Sequence, residues 1–202
     1  PRIERFRRTE PDPELAASNR HLVGYVGIMG SQDGVDHLVR AMAEILARGR
    51  DDVSCVIVGD GPELPALRSL AQELGVERHV RFTGFLSGED LLSTLSALDV
   101  GVIPDPADEF NGKLSMNKVF EYMMLGLPFV MYDLKQARSE AREAALVVDE
   151  CRPEALAAGI LELLDDEPRR KRMGAWGRAT AEREFLWSKE TASLIEAYRA
   201  VA

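Results

Sequence analysis

The chain's 202 residues are 46% hydrophobic and 29% charged and carry a net charge of -9. That is enough chain for one compact globular domain, and the acidic balance argues against non-specific nucleic-acid binding, so a phosphate site has to be local, built from backbone amides and a few cations. His21, His37 and His79 have no metal-ligand spacing, so they read as structural or solvated, and no uninterrupted apolar run is long enough to cross a membrane.

In chain order, residues Pro1 to Arg20 combine dense charge with three prolines and read as a linker remnant, with no signal-peptide pattern; the folded domain is expected over 21–202. Leu22 to Met29 is an apolar strand, followed by Val35 to Ala47 with helical periodicity at Val35, Leu38, Val39, Met42, Ile45 and Leu46. Val53 to Val58 is a second strand, closed by Gly59-Asp60-Gly61-Pro62 before a helix over about Glu63 to Leu74. Val80 to Phe82 leads into Thr83-Gly84-Phe85, then a helix near Glu89 to Ala97 and a strand at Val100 to Ile103. A short helix then starts near Met116 and stops at Gly126, followed by strands at Phe129 to Tyr132 and Ala145 to Val148. Helices near Pro153 to Leu164, Pro168 to Phe185 and Ser188 to Val201 close the chain.

Continuous apolar strands separated by helices predict an α/β fold with a mainly parallel sheet covered on both faces. Ligands bind such sheets at the carboxyl ends of the strands, so the loops of interest are Gly30 to Gly34, Gly59 to Pro62, Gly84 to Gly88, Pro104 to Ser115 and Asp133 to Glu140. The glycine spacing of Gly24-Tyr25-Val26-Gly27-Ile28-Met29-Gly30 does not match the dinucleotide fingerprint, and no nucleoside-triphosphatase phosphate loop is present. Gly59-Asp60-Gly61 reads as a turn or as a place where a ligand approaches the backbone. Cys55 lies in an apolar run and Cys151 in a connector, which points away from a disulfide and toward a reducing compartment.

The richest stretch is Met116 to Pro128. With Ser115 as N-cap, Lys118 stands in the first turn, where the helix dipole already favours negative charge. A cation there makes best sense if an anion docks on the helix end and meets both ammonium and backbone amides. Glu121, three residues on, shares that face and can accept from the vicinal hydroxyls of a ribose. Phosphate at the first turn and ribose at the second suit a nucleoside diphosphate; the other open reading is a weak Lys118–Glu121 pair on a solvated face.

In this order the segments Tyr25-Val26-Gly27, Val58-Gly59-Asp60-Gly61-Pro62, Val80-Arg81-Phe82-Thr83-Gly84-Phe85, Asn117-Lys118-Val119-Phe120-Glu121-Tyr122-Met123 and Gly126-Leu127-Pro128, with Trp187 and Tyr198 in the closing helices, resemble the carboxyl-terminal half of retaining glycosyltransferases of the GT-B fold, family 4. The resemblance covers about Leu22 to Val201. It implies a Rossmann-like three-layer domain and transfer of a sugar, with retention, from a nucleotide diphosphate donor such as a UDP- or GDP-sugar. It also implies a metal-free site, no separate cofactor, and an amino-terminal acceptor-binding domain outside this chain. By the same resemblance Glu121 holds the ribose, Gly84 and Phe85 contact the base through backbone, and Met116, Asn117 and Lys118 face the diphosphate and sugar. The full-length protein is then expected to be cytoplasmic, with possible peripheral membrane contact.

The chain departs from the family pattern in three places. Ile28 and Asp33 stand where the family carries an arginine and a lysine, and Lys113 stands where its paired-glutamate motif needs a carboxylate. This looks like a divergent bacterial branch, with Lys113, Lys118, Lys135 and Arg138 as replacement cations and Arg138 the favoured helper. Gly30 is expected to offer its backbone to phosphate or sugar, while Asp33 contacts a hydroxyl or caps the helix that follows Gly34. The competing functions are a GT-B sugar-nucleotide epimerase and a degenerate module that binds a nucleotide or partner without catalysis.

Overall fold

A computed structural model describes residues 6–17 and 21–201, with backbone alone at 188–190, 192, 193 and 201. Six strands, β1 (His21–Val26), β2 (Val53–Val58), β3 (Val80–Gly84), β4 (Val100–Ile103), β5 (Phe129–Tyr132) and β6 (Ala145–Val148), form one sheet in the order β3-β2-β1-β4-β5-β6. All neighbours are parallel, with Val23 opposite both Cys55 and Val100 at the centre. The strand order reverses between β1 and β4, and the crevice outside their carboxyl ends is where such sheets take ligands.

Helices α1 (Pro13–Ala16), α2 (Val35–Ala47), α3 (Leu64–Glu73), α4 (Gly88–Ser96), α5 (Asn117–Leu125), α6 (Lys135–Ala141), α7 (Pro153–Leu164), α8 (Glu167–Glu184) and α9 (Trp187–Val201) complete the described chain. Buried residues of α2, α3 and α7, such as Leu38, Leu67 and Ile160, cover one face of the sheet. On the other face the cover comes from α4, α5 and α6, through Leu95, Val119, Met123 and Ala137. The expected three-layer, Rossmann-like α/β architecture is therefore present, with strands that are apolar on both faces because both are covered.

Helix α5 is fixed from behind. Gly126 takes the left-handed conformation at its end (φ 61°), as the sequence predicts. Its last carbonyls accept from guanidinium groups elsewhere in the chain: Arg178 Nη1 on α8 donates to Met124 O at 2.7 Å, and Arg8 Nε donates to Leu125 O at 2.9 Å. Positive charge at a helix carboxyl end is favourable, so α5 is held where its amino end meets the crevice. Gly174 lets α8 approach closely, since a Cβ there would lie 2.2 Å from Gly126 O.

Two details differ from the sequence reading, and the described part of the expected linker packs against the domain. Residues 6–17 lie on the domain surface: Phe6 and Leu15 are buried, Thr9 N donates to Ser96 Oγ at 3.0 Å, and Asp12 caps α1. The remainder of the expected linker falls outside the described residues. The stretch Asp133 to Glu140 is mostly helix α6 rather than loop. Ser115 is not the N-cap of α5; Met116 occupies that position, with its thioether side chain buried in the core and no side-chain cap.

Candidate functional site

The loops after β1 and β2 run side by side at the carboxyl edge of the sheet. Gly27 N donates to Val58 O at 3.1 Å, Met29 N to Asp60 O at 3.0 Å and Glu63 N to Met29 O at 3.0 Å. A Cβ on Gly59 would stand 1.8 Å from Gly27 O, and one on Gly61 would stand 2.5 Å from Met29 O. These two glycines are thus required by backbone crossing backbone.

Beside this crossing lies a cleft of about 590 Å³ between the ends of β1, β2 and β3 and the start of α4. Its apolar lining includes Phe6, Val26, Val58, Leu86 and Leu92, with Phe85, 78% exposed. Its polar lining includes Asp60 and the half-buried Glu121 of α5. Glu89 also lines the cleft and is held by Arg7 Nη2 at 2.8 Å. A cleft lined by both apolar side chains and a carboxylate suits a planar ring carrying a polar, hydroxyl-bearing substituent.

Next to the cleft, Lys118 on the first turn of α5 points into a cluster. Its Nζ lies 3.0 Å from Asp105 Oδ1, 3.7 Å from Asp33 Oδ1, and 4.9 Å from the centre of the Tyr25 ring. The Lys118 side chain is 12% exposed and that of Asp105 4%. The ammonium therefore joins the loop after β1, the loop after β4 and α5. Burial pushes the Asp105 carboxyl above its usual range; Lys118 opposes the shift and Asp33 reinforces it. Asp105 Oδ2 is buried without a hydrogen-bond partner among the described residues. Burial, with Asp33 and Asp105 nearby, also pushes the Tyr25 hydroxyl well up; it donates to Ile28 O at 2.6 Å.

Residues 6–180 match the family model described as glycosyl transferases group 1. The chain belongs to the glycosyl transferases group 1 family. It is 32% identical over 169 residues to an alpha-D-kanosaminyltransferase of Streptomyces kanamyceticus, covering 83% of this chain and 42% of that protein. It is 32% identical over 184 residues to a GDP-mannose-dependent monoacylated alpha-(1-6)-phosphatidylinositol monomannoside mannosyltransferase of Corynebacterium glutamicum, covering 89% and 45%. Its fold matches the structure of Anabaena Alr3699/HepE in complex with UDP, with a TM-score of 0.82 and 19% identity over 98% of this chain and 55% of that one. The chain thus spans about half the length of the relatives it matches.

In this family member the residues singled out from sequence fall into separate places. Gly59, Phe85 and Glu121 line the same cleft. Gly84 lies at its edge, with its carbonyl accepting from Gly59 N at 2.9 Å. Gly30, Asp33 and Lys118 gather at the cluster, while Met116 is buried and Asn117 exposed at the start of α5. Asp33 does not cap the helix after Gly34: its Oδ2 accepts from Gly30 N at 3.0 Å, closing a short turn, and Gly34 leads into α2 in a left-handed conformation. Arg138 does not line the cleft among the described residues; it sits on α6, paired with Asp133 at 2.9 Å. Gly61 is committed to Met29, and the three histidines have protein neighbours: His37 bonds Tyr132 Oη, His79 bonds Val53 O, and His21 lies near Asp52 and Asp99.

Sequence reasoning missed Asp105, Tyr25 and the apolar wall made by Phe6, Leu86 and Leu92. Asp105 carried a usable signal, since it stands between Pro104 and Pro106, where a carboxylate is held in a rigid loop just past a buried strand. Phe6 carried none, because its contact depends on how a charged terminal stretch folds back.

Proposed function

We propose that this chain is the donor-binding half of a retaining glycosyltransferase that takes a nucleoside diphosphate sugar. The observation that carries the reading is Glu121 in one cleft with apolar side chains and the exposed Phe85. A nucleobase fits the cleft, stacked on or beside Phe85, and the ribose hydroxyls reach the Glu121 carboxylate. From there the diphosphate extends toward the start of α5, where unpaired amides of a helix amino end attract anions. The bond between the anomeric carbon and the diphosphate breaks, the acceptor hydroxyl oxygen bonds that carbon on the same face of the sugar, and the hydroxyl proton passes to the departing diphosphate. The acceptor is held by the remainder of the full-length protein.

Further support comes from a relative named for GDP-mannose dependence and a structural neighbour with UDP bound, so UDP- and GDP-sugars are the donors to test. The first measurement is calorimetric titration of the chain with UDP, GDP and their nucleosides, repeated on Glu121→Ala. Binding that weakens markedly in the variant supports the reading; a folded chain that binds none of the four ligands refutes it. A second reading, a module that has lost catalysis, is favoured by the pairing of Lys118 with two carboxylates. Turnover of a donor by the full-length protein separates the two.

A further inference from the structure

Resting on the donor reading, we infer that Asp33 and Asp105 are positioning residues that restrain the phosphate end of the site, holding Lys118 in a cluster of net charge -1 so that the nucleoside diphosphate binds weakly and leaves quickly.

A lysine in the first turn of a helix works against the helix dipole, and an anion at that helix end would normally be its partner. Here Lys118 Nζ is already satisfied by Asp105 Oδ1 at 3.0 Å and accompanied by Asp33 Oδ1 at 3.7 Å. One ammonium against two carboxylates leaves an excess negative charge beside the amides that the diphosphate is expected to meet. The second Asp105 oxygen has no hydrogen-bond partner among the described residues, and the ammonium bonded to the other oxygen is the carboxylate's principal counter-charge. Asp33 is fixed in place by the bond from Gly30 N, and Tyr25 Oη, 3.5 Å from Lys118 Nζ, closes a further side of the cluster. The arrangement holds the loops after β1 and β4 against α5 and lowers the attraction for a multiply charged ligand. Since affinity differences within one site reside mostly in dissociation rate, the same charge speeds departure of the diphosphate product.

The test uses Asp105→Asn and Asp33→Asn. In either variant an amide oxygen can still accept the existing bond, and the other carboxylate remains for Lys118. Affinity and dissociation rate are measured for UDP against uridine and for GDP against guanosine, alongside the unfolding temperature of each variant. We expect each single variant to bind its diphosphate roughly three- to tenfold more tightly, mainly through slower release, with the nucleoside unchanged. Diphosphate affinity that is unchanged or weaker in both folded variants overturns the inference while leaving the donor reading intact. An equal change for diphosphate and nucleoside also overturns it, because the residues would then act through cleft shape. Failure of the parent and both folded variants to bind any of the four ligands overturns the donor reading and this inference together.

Discussion

Replacing Lys118 with methionine keeps an unbranched apolar stem of nearly the same reach and removes the charge that faces Asp105 and Asp33. Asp105 is then buried without its cation, and breaking a buried pair from one side is destabilising by about 3–5 kcal/mol. The loss also has a ceiling, because Asp105 can take up a proton on folding. From an ordinary carboxyl pKa of 3.8, protonation at pH 7 costs about 4.4 kcal/mol. The expected loss at pH 7 is therefore about 3–4 kcal/mol, or roughly 10 °C of melting temperature for a chain of this size. The sign of the pH dependence follows from the direction of the shift. A carboxyl whose folded pKa lies above its unfolded value carries no penalty below the unfolded value and a growing one as pH rises through the folded value. Measured against the parent at each pH, the deficit of Lys118→Met should shrink toward zero near pH 4 and be largest at neutral pH. Adding Asp105→Asn to Lys118→Met should recover much of the neutral-pH loss. Thermal unfolding followed by circular dichroism at a series of pH values reads all three quantities. A deficit of the same size at pH 4.5 and 7.5, or no deficit at either, would refute the buried-pair account.

At the cleft, Glu121→Gln and Glu121→Ala should each weaken nucleotide binding by about 1.5–3 kcal/mol in calorimetry, with little change in stability; unchanged affinity in both removes Glu121 from the site. Phe85→Ala should weaken nucleoside and nucleoside diphosphate alike, by about 1–3 kcal/mol if the base stacks on the ring, and leave the melting temperature near the parent's because the ring is 78% exposed. Gly59→Ala should fold poorly or lose more than about 2 kcal/mol, since the added methyl meets Gly27 O at 1.8 Å and the residue holds φ at 131°. A Gly59→Ala protein as stable as the parent in urea unfolding would contradict the crossing of the two loops.

The parts of this molecule that were legible in its sequence are those governed by local pattern. Val53 to Val58 and Phe129 to Tyr132 are read correctly to the residue because an unbroken apolar run between turn residues has few alternatives. Gly126 ends α5 for the reason its position suggested. What stayed hidden depends on groups brought together from distant parts of the chain. Ser115 has the chemistry of an N-cap, yet Met116 takes that position, with its side chain in the core. Asp33 could have capped the following helix or faced a ligand, and its course is set by Gly30 behind it and Lys118 across from it.

The same distant pairing explains why a cation can be recognised from sequence while its availability cannot. Lys118 stands on the first turn of α5, close to where the sequence put it. Its effective charge is decided by Asp105, thirteen residues back along the chain and past the end of β4, and by Asp33 in the loop after β1. The strand order that creates the crevice between β1 and β4 is also what delivers these two carboxylates to one ammonium. On the donor reading, stability and anion affinity should therefore depend on the same three side chains and move in the same sense. Neutralising a carboxylate should relieve a buried charge and strengthen the hold on a diphosphate, whereas removing the ammonium should damage both.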